Sequence, residues 1–156
     1  MKDENISNWN MDGHIIIPTE FDKISYLIEW KDLFPSWIDE EEEKLVPTCP
    51  KLPMPNFSNY SANMDMIVAK LPCNYPKQGS TRDVFRLQVH LVVANLVAKR
   101  EGNWDGKRKV VFFSKCRPMV ELFRCDDLVK HEGDWWYYEV DVAKLAKGLD
   151  PCIVKA

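Results

Sequence analysis

Five cysteines and three histidines are the residue types in this chain best suited to metal binding or nucleophilic chemistry. No two cysteines form a C-x-x-C pair, and the histidines lie far apart in the sequence. Because zinc ligands usually come in close pairs, this spacing argues against a thiolate metal site. Asp126 and Asp127 could bind a cation with Glu121, but adjacent acids are usually solvated and the chain has no D-x-D pair. The sequence therefore predicts no metal ligand and no catalytic residue.

His90 lies in the middle of the strongest helical pattern, one turn after Arg86. No serine or cysteine can be assigned to it as a nucleophile. A polar contact at the surface or between domains is the favoured interpretation, and a catalytic role is the alternative.

A candidate anion site lies where this helix is expected to begin. Ser80, Arg82 and Asp83 stand there, and Arg117 follows the next apolar run. Helix N-termini attract anions because their free N–H groups and dipole point at the ligand. The segment matches neither G-x-G-x-x-G nor the Walker A pattern, so a plain capped helix or a contact with another domain is the stronger alternative.

Cys73 and Cys116 each follow a predicted strand by two residues. If those strands are neighbours in register, the two sulfurs approach each other and could form a disulfide in an oxidising compartment. Two free or buried thiols are the alternative that the sequence leaves open.

Two further patterns point to carbohydrate. Trp135 and Trp136 open an aromatic run that could stack on sugar rings, although aromatics on both faces of a strand more often indicate burial. Three N-x-S/T sequons, at Asn5, Asn56 and Asn59, are candidate N-glycosylation sites in a secretory lumen. Chance sequons in a cytosolic chain are the alternative.

The elements that must position these residues form a strand–helix–strand pattern. Apolar runs over 64–71 and 109–114 predict strands, and residues 80–100 between them predict a helix with Ser80 as N-cap. This predicts an α/β fold whose βαβ unit lies in a small, mostly parallel sheet. The helix has two apolar stripes, so both of its sides should be covered, the second by a partner.

The flanking segments divide the chain into three predicted parts. Residues 1–18 are expected to be a disordered tail. Residues 19–61 are predicted to hold an amphipathic helix over 20–33, an acidic run and an extended Pro-rich connection. Residues 62–156 form the α/β domain, with a further strand predicted over 135–140 and a short helix over 141–147. Residues 119–124 are predicted to form a strand, with a short helix as the alternative.

Composition sets the outer limits. The 156 residues are 46% hydrophobic and 29% charged, with a net charge of -3. That suits one globular unit and excludes a disordered chain, a coiled coil or a globally basic nucleic-acid binder. No run reaches the roughly 20 apolar residues of a membrane span, and the polar start does not resemble a signal peptide.

Several motifs resemble the region ahead of the catalytic domain in the plant glucuronosyltransferases that decorate xylan, members of glycosyltransferase family 8 that are also called plant glycogenin-like starch initiation proteins. The resemblance covers roughly residues 30–140. Its blocks are WIDEEEE (37–43), CP (49–50), PMP (53–55), KLPC (70–73), RDV (82–84), RLQVHL (86–91), CRPM (116–119), ELFRCDDLV (121–129) and GDWW (133–136).

The resemblance implies a Golgi type II membrane protein that transfers glucuronic acid from UDP-glucuronate to xylan in plant cell-wall synthesis, with manganese held by a D-x-D motif. This sequence has no anchor before the resembling region and no D-x-D motif, so no catalytic or metal residue is carried over. It resembles a lumenal fragment that is inactive alone and packs against the catalytic domain of the same protein or a related transferase. Without that domain, one apolar side of the helix over 80–100 would stay exposed, which predicts poor solubility of the chain in isolation.

Two other functions remain open from the sequence. A non-catalytic accessory module could bind xylan or a partner glycosyltransferase. An unrelated small cytosolic α/β protein is the third interpretation.

Overall fold

The structure, a computed structural model, describes residues 13, 15–34, 50–60, 64–73, 83–98 and 106–142. Its centre is a four-stranded sheet with the order β1-β2-β4-β3. The strands are β1 (Met66–Lys70), β2 (Lys107–Phe113), β3 (Leu128–Glu132) and β4 (Trp135–Asp141). The helix α2 (Val84–Ala98) connects β1 to β2, which pair in parallel. The predicted α/β class and its βαβ unit are therefore confirmed.

The rest of the sheet is antiparallel, where the sequence predicted mostly parallel strands. β4 pairs antiparallel with both β2 and β3, so the sheet is mixed. The reason is local: only Gly133 and Asp134 separate β3 from β4, and a two-residue connection can join only antiparallel strands. Gly133 has φ +57° and Asp134 does not have a positive φ. This is the type II′ pattern that suits a tight hairpin.

Helix α2 is almost entirely buried, as its two apolar stripes predict. Ten of its 15 residues are buried, from Leu87 to Val97, and they include the polar Gln88 and His90. The helix begins after Asp83, whose carboxylate accepts hydrogen bonds from the backbone N–H groups of Phe85 (2.9 Å) and Arg86 (3.2 Å). Asp83 is therefore the N-cap. The predicted cap, Ser80, lies outside the described residues.

The core lies between α2 and one face of the sheet. Val110 and Phe112 of β2 and Tyr138 and Val140 of β4 are at most 2% exposed. Cross-strand partners share a face, and Val110 pairs with Tyr138. The helix side that carries His90 packs here, with its ring 5.5 Å from that of Phe112.

The opposite side of α2 is covered by the N-terminal segment of the same chain. The predicted helix over 20–33 is wrong: only α1 (Trp30–Leu33) is helical, and the preceding residues are irregular. The backbone N–H of Ile24 bonds the side chain of Gln88 instead of a helical carbonyl. Ile24 is buried, and Phe21 and Ile28 pack against the same core. Tertiary packing has overridden the local 3.6-residue pattern.

The Pro-rich segment has no helix or strand over 50–56 and then forms a 3-10 helix (Phe57–Asn59), and it is more than the surface connection that the sequence predicted. Leu52 and Pro55 are buried, and Met54 and Phe57 pack against the core. Residues from both sides of the predicted boundary at 61/62 thus share one core.

Three local predictions have different outcomes. The predicted strand over 119–124 is wrong: Phe123 N–H bonds the Met119 carbonyl (2.8 Å), which closes one tight turn. The predicted strand over 135–140 is confirmed as β4. The helix predicted over 141–147 lies outside the described residues from position 143 onward, and so does most of the predicted tail.

Candidate functional site at the carboxyl ends of the parallel strands

Cys73 and Cys116 meet just beyond the carboxyl ends of β1 and β2. The parallel register pairs Lys70 with Phe113, an offset of 43 residues. The same offset separates the two cysteines, which are joined as a disulfide with Cα atoms 5.5 Å apart. That spacing is the usual one for a disulfide. The geometry supports the predicted pairing and shows its cause, since the two strands continue in register past their last hydrogen bonds.

The predicted anion site is already occupied by a side chain. The first N–H groups of α2 are the donors that an anion would use, and Asp83 accepts from two of them. A second negative group there would meet the Asp83 carboxylate. Ser80 and Arg82, the other predicted contacts on this side, lie outside the described residues.

Arg117, the fourth residue predicted to contact an anion, makes hydrogen bonds to other residues of this chain. Its guanidinium donates to Cys125 Sγ at 3.0 Å, and its carbonyl accepts from Arg86 Nη2 at 2.9 Å. Cys125 is an exposed free thiol. Arg117 therefore ties the loop after β2 to both α2 and the turn before β3, an internal bracing role that the sequence did not indicate.

His90 is a buried structural residue, where the sequence favoured a surface or interdomain contact. Its Nδ1 lies 2.7 Å from the Arg86 carbonyl, and its Nε2 lies 3.1 Å from Met119 N. A carbonyl can only accept and an N–H can only donate, so Nδ1 carries the proton and Nε2 is bare. Burial lowers the pKa of His90 to about 4. Both ring nitrogens are hydrogen-bonded and the side chain has no exposed surface. His90 therefore holds the 116–123 loop against α2.

Gln88 is a second buried polar residue that connects separate segments through hydrogen bonds, and it was not recognised from the sequence. Its Nε2 donates to the carbonyls of Asp22 (2.8 Å) and Pro53 (2.7 Å), and its Oε1 accepts from Ile24 N (2.9 Å). One side chain thus holds both segments that cover α2. The available signal was a glutamine inside an otherwise apolar helical run, because a buried amide must find partners.

The aromatic run of β4 alternates between the two faces of the sheet. Trp136 is 8% exposed, donates Nε1–H to the Ser114 carbonyl (2.9 Å) and is covered by the His131 ring at 3.5 Å. It is therefore a core residue, as the favoured interpretation of this aromatic run expects, and it is not placed to stack on a sugar. Trp135 and Tyr137 lie on the opposite face, with ring centroids 6.5 Å apart and planes 24° apart. Burial raises the pKa of the inward Tyr138 to about 12.

Two of the three sequon asparagines lie on the described surface. Asn56 and Asn59 are both exposed, at the cap and the end of a 3-10 helix (Phe57–Asn59). Asn5 lies outside the described residues.

A manganese ion does not fit the donor set of the described residues. Within them, no three side chains of His, Cys, Asp or Glu come together as metal ligands. Asp126 is exposed and pairs with Arg124 at 3.3 Å, whereas Asp127 is buried in the turn before β3. The predicted alternative of a metal at these acids gains no support.

Comparison with known proteins places this arrangement in a family of transferase N-terminal domains. Residues 1–153 match the family described as the GUX1-5 N-terminal domain, and the chain belongs to that family. The chain is 51% identical over 150 residues to UDP-glucuronate:xylan alpha-glucuronosyltransferase 2 of Arabidopsis thaliana. This match covers 96% of the chain and 25% of that relative. The chain is 41% identical to the putative enzyme 5 of the same series, over 85% of this chain and 24% of the relative. Enzyme 1 is 39% identical, over 90% of this chain and 20% of the relative.

The chain therefore spans about a quarter of the length of these curated relatives. The predicted resemblance, to the N-terminal region of xylan glucuronosyltransferases, is confirmed. No solved structure matches the chain. Among the residues that the structure describes, no helix is long and apolar enough to cross a bilayer.

Proposed function

We propose that this chain is the N-terminal domain of a glucuronosyltransferase that uses UDP-glucuronate and decorates xylan in plant cell-wall synthesis, and that it supports transfer without catalysing it. The carrying observation is the match of residues 1–153 to an N-terminal domain family, with relatives about four times as long. The names of these relatives give UDP-glucuronate as the donor and xylan as the acceptor. The buried hydrogen bonds of His90 and the self-capped start of α2 support a structural role.

A transfer assay tests this proposal. The chain alone is incubated with UDP-glucuronate, manganese and xylo-oligosaccharides, beside a full-length relative that contains the matching domain. We expect transfer by the full-length protein and none by the chain alone. Turnover by the chain alone would overturn the structural role.

The proposed setting of the protein is the Golgi lumen. An oxidising lumen would preserve the Cys73–Cys116 disulfide, whereas cytosolic thiols are kept reduced. In the longer enzyme, a manganese site would lie in the part that this chain does not contain. Imaging a fluorescent fusion of the full-length protein against Golgi markers checks the location, and a cytosolic signal would contradict it.

A second candidate function is contact with xylan through the outer sheet face. Near-parallel rings such as those of Trp135 and Tyr137 are suited to stack on successive sugars. We expect a saturable change in tryptophan fluorescence with xylo-oligosaccharides that Tyr137→Ala weakens. Tyr26→Ala, which removes an exposed tyrosine outside the sheet, should leave the change intact. An unchanged spectrum at saturating sugar would remove this function.

A further inference from the structure

We propose that Asn56 carries an N-linked glycan and that its occupancy excludes Asn59. The two sequons are Asn56-Phe57-Ser58 and Asn59-Tyr60-Ser61. The modification rests on the lumenal setting proposed above. It goes beyond that proposal by naming the site and the surface of the domain that stays open to solvent.

The geometry at Asn56 leaves its attachment atom available. Oδ1 accepts hydrogen bonds from Ser58 N (3.2 Å) and Ser58 Oγ (2.5 Å). Both contacts use the oxygen, so Nδ2, the atom that bears a glycan, takes no part in this turn. A glycan on Nδ2 therefore leaves both bonds intact. The bonds span two residues, so they can also form in a nascent chain before the domain folds.

The segment around Asn56 points its apolar residues inward and its sequon residues outward. Pro55 is buried and Phe57 packs against the core, whereas Asn56 and Ser58 are exposed. The side chain of Asn56 can therefore carry a bulky polar group without repacking Pro55 or Phe57. A glycan here is compatible with the folded domain as well as with the unfolded chain.

The spacing of the two sequons makes them compete. Asn56 and Asn59 are three residues apart across a 3-10 turn, closed by a bond from Asn59 N to the Asn56 carbonyl at 3.2 Å. Asn56 is the N-cap and Asn59 the last residue of this single turn, so two bulky glycans would have to share one turn of the chain. Asn56 reaches the lumen first during synthesis, and a glycan on it covers Asn59.

The chemistry needs a lipid-linked oligosaccharide diphosphate as donor. A new bond joins Asn56 Nδ2 to the anomeric carbon, and the bond from that carbon to the diphosphate oxygen breaks. The lipid diphosphate leaves with the electron pair, and one Nδ2 proton passes to a base of the transferase. No oxidant or reductant is involved.

A glycan on Asn56 also limits which surface of the domain can contact another domain. The segment 50–60 covers the α2 side bound by Gln88. A glycan on Asn56 would keep the outer surface of this segment solvated in a longer protein, so any further domain would have to pack against another surface.

The full chain behind a secretory signal, expressed in eukaryotic cells, tests the proposal. An amidase that releases the glycan in heavy water leaves a mass tag on each formerly modified asparagine. One tryptic peptide between Lys51 and Lys70 contains both asparagines. We expect one tag on this peptide, at Asn56.

The variants separate the two sites. Asn56→Gln and Ser58→Ala should each move the tag to Asn59, whereas Ser58→Thr should keep it at Asn56 and Asn59→Gln should change nothing. A peptide without a tag, with two tags, or with a tag only at Asn59 in the unsubstituted chain would overturn the proposal. Because the signal imposes the secretory route, a failure here is distinct from failure of the transfer assay or of Golgi imaging.

Discussion

His90 is the residue that should make the stability of this domain depend most on pH. Its pKa is lowered from 6.5 to about 4 in the folded state by burial, so it is neutral there at pH 7. On acidification the unfolded chain takes up the proton first. The stabilisation is therefore complete above pH 6.5 and is lost as the pH falls towards 4, by about 3 kcal/mol in total.

Urea unfolding at about pH 7 and about pH 4.5 measures this loss. His90→Phe should lower stability at neutral pH, because Met119 N–H and the Arg86 carbonyl lose a partner. It should also flatten the pH dependence in this range. His131→Gln is the control: His131 is exposed and hydrogen-bonds its own hairpin turn, so the variant can lose stability through its ring contact with Trp136 but should keep the pH dependence that His90 gives. A pH slope unchanged in His90→Phe would contradict the assignment.

The three buried hydrogen bonds of Gln88 should also contribute strongly to the stability of the domain. Gln88→Ala should cost about 2–4 kcal/mol of unfolding free energy, because it strands Ile24 N–H and the carbonyls of Asp22 and Pro53. Asn95→Ala is the control: Asn95 is only partly buried and bonds the Leu91 carbonyl of its own helix. Denaturant melts of both variants decide the question. Equal losses would show that Gln88 does not hold the cover of α2.

The roles of individual residues were harder to predict than their positions. Alternation along β4 was visible in the sequence, but which tryptophan faces the core depends on the side of the sheet that α2 covers. The sequence marked His90 as a polar residue in the middle of the helix and Arg117 as a polar residue after the second strand of the parallel pair. Each has one partner about 30 residues away, Met119 for His90 and Arg86 for Arg117, so their role in holding the loop after β2 against α2 could not be predicted from the local pattern.

Among the elements, the parallel strands β1 and β2 should be stabilised by the Cys73–Cys116 disulfide beyond their carboxyl ends. Replacing Cys73 or Cys116 by alanine should cost about 4 kcal/mol, because the disulfide closes a loop with a sequence separation of 43 and restricts the unfolded chain. Unfolding with and without reductant measures the loss, and intact mass after alkylation counts the thiols. Cys125→Ser should leave stability unchanged. A chain that is insensitive to reductant and alkylates at Cys73 and Cys116 would show that the pair is not bonded.

The elements divide into those with a strong periodic signal and those made by tertiary contact. The run that became α2 was long and apolar, and β1, β2 and β4 had β-branched or aromatic runs, so all four were predicted. β3 was missed because four of its five residues are exposed, as in an edge strand that buries little. The 20–33 pattern failed because the Ile24 backbone binds α2.

At the scale of the whole molecule, the second side of α2 is covered by the chain itself. From the sequence, a missing domain was expected to cover this side, which predicted poor solubility of the chain in isolation. Ile24, Leu52 and the residues around them supply that cover. The reason for expecting self-association of the full chain is thus removed, although contact with another domain through a different surface remains compatible.

The N-terminal cover leads to a prediction for truncated chains. Removing residues 1–34 should expose the α2 side that carries Phe85 and Gln88, which Lys23 and Ile24 now contact. A large exposed apolar surface promotes association. We expect the truncated chain to self-associate and to bind an apolar dye, by light scattering and fluorescence. Removing only residues 1–18 should leave a monomer, because Ile15 to Ile17 are already exposed. A monomeric, dye-free chain lacking residues 1–34 would mean that this segment does not cover the core.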